Sequence, residues 1–229
     1  MRYLLLGGGD LVREVARLLV DTAASTSQVC KIAVFSDRPN ALIPESAESC
    51  ATPVEALRLF PPSDWQAIGC LGEPKMREAM YAQFRDMGYV FAKACHQDAT
   101  VFAEQVGAGC VVFPGARLAI GCRLAEDVLV NFNATIGHDT VIGAHSVISP
   151  GVQLGGRISS GKRVMFGIGA CVLQRRSIGD DSVISAGAAV WTDVPENVTM
   201  VGVPAVSRKV PGRSSTPTLS KQGDDTQGR

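Results

Sequence analysis

The chain has 229 residues, 46% hydrophobic and 19% charged, which is enough to bury the core of one large or two modest domains. Its 22 basic and 22 acidic residues cancel, which argues against nucleic acid or an anionic membrane as the partner and in favour of a small molecule. The opening run "YLLL" is too short to span a bilayer and no signal-peptide cleavage pattern follows it, so a cytoplasmic location is expected. Seven cysteines (Cys30, Cys50, Cys70, Cys95, Cys110, Cys122 and Cys171) are odd in number, scattered and free of any C-x-x-C pair. They read as small buried hydrophobes in a reducing compartment.

Residues 1–97 alternate strand and helix signals. "RYLLLGGGD" is an apolar run ending in glycines, and "LVREVARLLV" carries a helical apolar face at Leu11, Val12, Val15, Leu18 and Leu19. "KIAVFSD" reads as a second strand ending at Ser36 and Asp37, "WQAIGCLG" as a third, "PKMREAMYAQFRDMG" as a helix opened by Pro74, and "YVFAKAC" as a fourth strand. This βαβ order predicts a small parallel sheet.

From Val106 the period changes. Apolar residues recur every sixth position through Val112, Leu118, Leu124, Val130, Ile136 and onward to Val190, with only Ser160 breaking the series. The position four residues after each is mostly small or β-branched, as at Cys110, Ala116, Cys122, Val128 and Ala134. Such a hexapeptide repeat is the signature of a parallel β-helix. On that pattern the 98–210 segment is one β-helical domain, and the polar remainder, 211–229, is expected to be disordered. His138 falls two positions after Ile136, in a turn where side chains project outward, and imidazole suits proton transfer near neutral pH. A purely structural repeat with a surface histidine is the competing reading. Zinc is not expected, because His96 precedes the repeat and the spacing of His138 and His145 completes no ligand set.

The glycine run, "FSDRPN", "LGEPKMRE", "HQDATV", "NFNATIGHDTVIG" and the closing "VGVPAVSRK" together resemble the hexapeptide-repeat acyltransferases of the sialic acid O-acetyltransferase and nucleotide-amino-sugar N-acetyltransferase type. The resemblance implies a Rossmann-like α/β domain that holds a sugar nucleotide, followed by an all-β left-handed parallel β-helix. It also implies a homotrimer with acetyl-CoA lying along the helix and no metal. Matched residue by residue, the motif from Asn131 to Asp139 makes His138 the general base and Asp139 its orienting partner, with Asn131 positioning the sugar or the donor carbonyl. Three hexapeptides per coil put Gly156 one coil above His138, where its N–H would meet the thioester oxygen. Asp139 and Gly156 are equally at home as ordinary turn residues.

For acetyl-CoA the resemblance implies Gly167 and Ile168, Ser185 and Ala186 one coil above them, and the terminal Val201, Gly202 and Pro204, with Arg208 and Lys209 meeting phosphates. For the sugar nucleotide it implies Gly7, Gly8 and Gly9 at the start of the first helix, with Ser36 and Asp37 beyond the second strand. Two departures stand out. The family continues the glycine run with glycine and histidine where this chain has Asp10 and Leu11, and it places a second histidine where this chain has Val147. His145 inherits no role and reads as an interface or surface residue. The implied reaction is N-acetylation of a nucleotide-linked amino sugar in bacterial surface glycan synthesis, by direct attack. O-acetylation of a sialic acid and a non-catalytic sugar-nucleotide-binding scaffold stay open at this point.

Overall fold

The computed structural model describes residues 1–208, so Lys209 and the expected tail at 211–229 lie outside the described residues. The chain opens with β1 (Arg2–Leu6), in which four of five residues are buried, as in strands covered on both faces. Helix α1 (Asp10–Ser25) starts directly after Gly9 and buries Val12, Val15, Ala16, Leu18 and Leu19, one stripe at helical spacing. Then come β2 (Lys31–Phe35), β3 (Glu48–Cys50), α2 (Pro53–Leu59), β4 (Gln66–Gly69) and α3 (Pro74–Asp86). A reciprocal capping box between Thr52 and Glu55 starts α2, whereas Glu73 accepts from the Met76 N–H at 2.8 Å to start α3.

The four strands form one parallel sheet in the order β3-β2-β1-β4. After β1 the chain adds strands on one side and then crosses to the other. The C-terminal ends of β1 and β4 therefore flank a topological switch point, where open α/β sheets bind ligands.

The strands differ from the expected order at two places. The fourth strand of this sheet is β3, whose three residues are too few to show an alternation. "YVFAKAC" contributes only a bridge from Phe91 to Ala67. Its end, Ala94–Cys95, instead pairs with Val111–Val112 and opens the second architecture.

From Ala94 the chain winds as a parallel β-helix of two- and three-residue strands on three faces. Thr135 pairs with Gln153 and Gln153 with Cys171, so most coils take eighteen residues. The first face holds Leu129–Val130 and its stacked equivalents, the second Thr135–Ile136, and the third Val141–Ile142. The sixth-position residues point inward, and Val130, Ile136, Ile142 and Ile148 are all fully buried. Each such side chain contributes about 1.5–3 kcal/mol of burial. At the one break in the series, Ser160 is buried but donates to the Gly161 carbonyl at 3.1 Å, so the core accepts a hydroxyl without an unsatisfied group.

The turns demand left-handed backbone: Asp127, Asn133, Asp139 and His145 have φ between 53° and 59°. Only a few residue types adopt that region readily, Asn and Asp among them.

The first face is apolar outside as well as inside. Val111, Leu129 and Val147 pack beneath α1 in one cluster with Val15, Leu19 and Phe113. The α/β domain thus covers the first face and leaves the second open.

Candidate active site

His138 and Asp139 occupy the turn that joins the second face to the third, and about half of each side chain is exposed. The imidazole Nδ1 lies 2.9 Å from Asp139 Oδ2. A carboxylate can only accept there, so Nδ1 carries a proton and in the neutral ring Nε2 presents the lone pair. The hydrogen bond to His138, with the Arg157 guanidinium nearby, holds the Asp139 carboxyl below the ordinary carboxylate range. It therefore remains an anion wherever imidazole titrates. Arg157, which the sequence reading did not single out, approaches Asp139 Oδ2 to 3.6 Å from the next coil.

Gly156 stacks one coil beyond His138, and the His138 carbonyl accepts from the Arg157 N–H at 2.7 Å, locking the two turns together. A Cβ on Gly156 would lie 2.5 Å from His138 Nε2. Only a hydrogen side chain lets the ring lie over this turn. The Gly156 N–H has no acceptor among the described residues. The ring nitrogen of His138 that Asp139 leaves free and a backbone donor without an acceptor thus belong to stacked turns of one edge, the pairing that acyl transfer uses. Gly156→Ala should push the ring aside while leaving the coil intact, since Gly156 is not among the residues of positive φ. We expect thermal unfolding to move little and the transfer rate to fall about tenfold or more, by analogy with small misplacements of a reacting group.

The remaining expected residues divide by edge. Asn131 lies on the turn between the first and second faces, its Oδ1 accepting from the Phe132 N–H at 2.8 Å, so the width of the second face separates it from His138. Gly167, Ile168, Ser185 and Ala186 stack on that same edge, where a Cβ on Gly167 would meet the Ala186 nitrogen at 2.6 Å. Between the two edges the second face carries a cavity of about 290 Å³, lined by Gln153, Gly155, Cys171, Leu173, Gln174 and Trp191. Val201 ends a strand on the last coil, and the Gly202 carbonyl accepts from the Ala189 N–H at 3.0 Å, which brings this terminal segment with Pro204 beside the Ser185–Ala186 turn. Arg208 pairs across from Thr199 and is exposed.

Gly7, Gly8, Gly9, Ser36 and Asp37 gather at the C-terminal ends of β1 and β2. Gly7 has φ +151°, and a Cβ there would lie 2.6 Å from the Cys70 carbonyl oxygen. Gly9 caps α1 with nothing close to where its Cβ would be. Ser36 is buried, its Oγ accepting from the Arg38 N–H at 3.2 Å, and Asp37 is exposed.

The histidines stand apart. His96 Nδ1 accepts from the Asp98 N–H at 3.1 Å, and among the described residues no three His, Cys, Asp or Glu side chains converge for a metal ion. His145 is no surface residue: it is buried, with Nδ1 at 3.0 Å from Asp127 Oδ2, between the two domains.

Fold and repeat together define a hexapeptide-repeat β-helix protein with an N-terminal α/β domain. A family model described as bacterial transferase hexapeptide (six repeats) matches residues 121–156. The acetyltransferase domain of PglB from Neisseria gonorrhoeae FA1090 is 28% identical, with a TM-score of 0.82 over 90% of this chain and 99% of that one. The same domain in complex with acetyl coenzyme A gives a TM-score of 0.81, also at 28% identity, over 90% of this chain and 98% of that one. PerB from Caulobacter crescentus, in complex with CoA and GDP-perosamine, is 24% identical with a TM-score of 0.77 over 91% of this chain and 98% of that one. WeeI from Acinetobacter baumannii AYE shares the fold at 19% identity, with a TM-score of 0.80 over 91% of this chain and all of that one. The resemblance to hexapeptide-repeat sugar acetyltransferases that the motifs carry therefore extends through both domains.

Proposed function

We propose that the chain transfers the acetyl group of acetyl-CoA to the amine of a nucleotide-linked amino sugar, as part of bacterial surface glycan synthesis. One observation carries this reading: His138, oriented by Asp139, packs its Nε2 over Gly156, whose N–H has no acceptor among the described residues. The likeness to an acetyltransferase domain with acetyl coenzyme A, and a fold shared with a protein that binds CoA and GDP-perosamine, support it.

The amine attacks the thioester carbonyl carbon and a C–N bond forms. His138 Nε2 takes the proton, and the Gly156 N–H meets the developing oxyanion. The C–S bond then breaks and the proton passes to the leaving thiolate. No covalent acyl-enzyme is required.

With the thioester at Gly156, the cavity on the second face accommodates the pantetheine arm, and the edge bearing Gly167, Ile168, Ser185 and Ala186 borders its far side. The α/β domain is read as Rossmann-like, with the nucleotide diphosphate at Gly7 to Gly9 and the helix N-terminus favouring its charge. Asp10 and Leu11 then select the nucleotide pose. We further read the β-helix as left-handed and the assembly as a homotrimer. Phe102 and Ile120 support the second point: they are 68% and 74% exposed on the same edge as His138, where a neighbouring copy would cover them. No described helix is long and apolar enough to cross a membrane, and seven unpaired cysteines suit a reducing cytoplasm.

The test is release of the CoA thiol from acetyl-CoA with a panel of nucleotide amino sugars. At least one acceptor should raise the rate well above background and gain one acetyl group on nitrogen. Background rates with every acceptor would sink the proposal.

A further inference from the structure

We propose that Arg77, Asp127 and His145 are positioning residues that tie the nucleotide cleft of the α/β domain to the β-helix and thereby set its affinity. The inference rests on reading the glycine loop as the nucleotide site.

The chain of contacts is continuous. Arg77, on the first turn of α3, is 1% exposed although it carries a full charge. Its Nη1 donates to the carbonyls of Gly69 and Leu71 at 3.2 and 2.8 Å, the two residues flanking Cys70. The Cys70 N–H in turn donates to the Leu6 carbonyl at 2.9 Å, and the Cys70 carbonyl packs against Gly7, the first glycine of the loop. Arg77 therefore clamps the segment that forms one wall of the switch-point cleft.

The other side of the guanidinium faces the β-helix. Nε donates to the Asp127 carbonyl at 3.2 Å and Nη2 to Asp127 Oδ1 at 2.5 Å. Asp127 is fully buried in the turn between the third face and the first. Its second oxygen, Oδ2, accepts from His145 Nδ1 at 3.0 Å. Beyond it, His145 Nε2 faces Glu126 Oε1 at 4.0 Å and the ring edge meets Tyr81, whose hydroxyl donates to Glu126 at 3.2 Å.

Five side chains from two domains are thus arranged so that the orientation of one carboxylate fixes the guanidinium. The guanidinium fixes two carbonyls, and these seat a third against the glycine loop. A salt bridge needed only for stability would be met by one oxygen of Asp127. Here the second oxygen is also held, which removes the freedom of the carboxylate to rotate and hand Arg77 a different geometry. Arg77 also uses the spread of its donors, which the single ammonium of lysine cannot reproduce.

The experiment uses the full chain, with UDP, GDP and dTDP titrated calorimetrically and acetyl-CoA titrated in parallel. Arg77→Lys and His145→Leu should weaken the nucleoside diphosphate that the wild type binds by about tenfold, while His145→Asn, which restores a donor at the Nδ1 position, stays within about twofold. Acetyl-CoA affinity should be the same in all four proteins. In ligand-free protein, hydrogen exchange in the peptide containing Gly7 to Gly9 should accelerate in His145→Leu and not in His145→Asn.

Unchanged nucleotide affinity in both Arg77→Lys and His145→Leu would overturn the inference. So would a parallel loss of acetyl-CoA binding, or identical behaviour of the two His145 variants. Wild type that binds none of the three nucleotides would remove the nucleotide reading itself, a result distinct from wild-type binding with indifferent variants.

Discussion

His138→Asn is expected to lower the rate of acetyl transfer by about 10²–10⁴-fold, the range that a positioned general base supplies. Asparagine keeps a polar group of similar reach but has no nitrogen lone pair that can take the amine proton. The loss should therefore fall on kcat, with acetyl-CoA affinity nearly unchanged because Gly156 and the second face remain. Stability should barely move: the side chain is 53% exposed, makes no core contact, and surface substitutions of this kind cost within about 0.5 kcal/mol. Steady-state thiol release together with a thermal melt separates the two effects. A fall in melting temperature parallel to the loss of rate would assign His138 a structural part instead.

Asp127→Ala should lower stability by about 3–5 kcal/mol, because it leaves the guanidinium of Arg77 buried and unpaired. Both side chains are essentially inaccessible, at 0% and 1% exposure. The His145 imidazole would lose its only hydrogen-bond partner among the described residues as well. In a protein of this size that corresponds to a melting temperature lower by about 6–20 °C. The contrast is Arg123 with Glu104, a two-contact pair at 2.9 and 3.0 Å whose side chains are more than half exposed. Water already solvates those charges, so Glu104→Ala should cost far less than Asp127→Ala. Urea unfolding of both variants checks the comparison. Equal effects would show that burial does not govern these pairs.

The β-helix was legible because its physics is periodic. An inward position every six residues must be apolar, and the run from Val112 to Val190 meets that demand with Ser160 as the one exception. The turn position of His138 followed from the same count, and so did its stacking on Gly156. A second signal lay in the same stretch. Val111, Leu129 and Val147 are apolar just before the inward position, eighteen residues apart, and mark the face that α1 covers. Val147 packs under the α/β domain, and its side chain belongs to a different face from His138.

What the sequence did not disclose depends on long-range geometry. Strand β3 is three residues at a sheet edge, too short to display an alternation. "YVFAKAC" has the composition of a strand for either partner, and only the three-dimensional neighbour decides that Ala94 and Cys95 join the coil. Asp127 and His145 sit eighteen residues apart and Arg77 fifty residues before Asp127, so no local window reveals their contact. Buried charged residues read as surface until their partners are placed. Arg157 was missed for a related reason. It meets Asp139 only because consecutive coils stack.

The placement of the reaction centre is tested most directly by a crystal structure of the protein with acetyl-CoA. We expect the thioester oxygen within about 3 Å of the Gly156 nitrogen. The carbonyl carbon should face His138 Nε2 across the space left for an amine, and the pantetheine arm should lie on the second face beside Trp191. An acetyl group bound at another edge, beyond the reach of both His138 and the Gly156 N–H, would contradict the account.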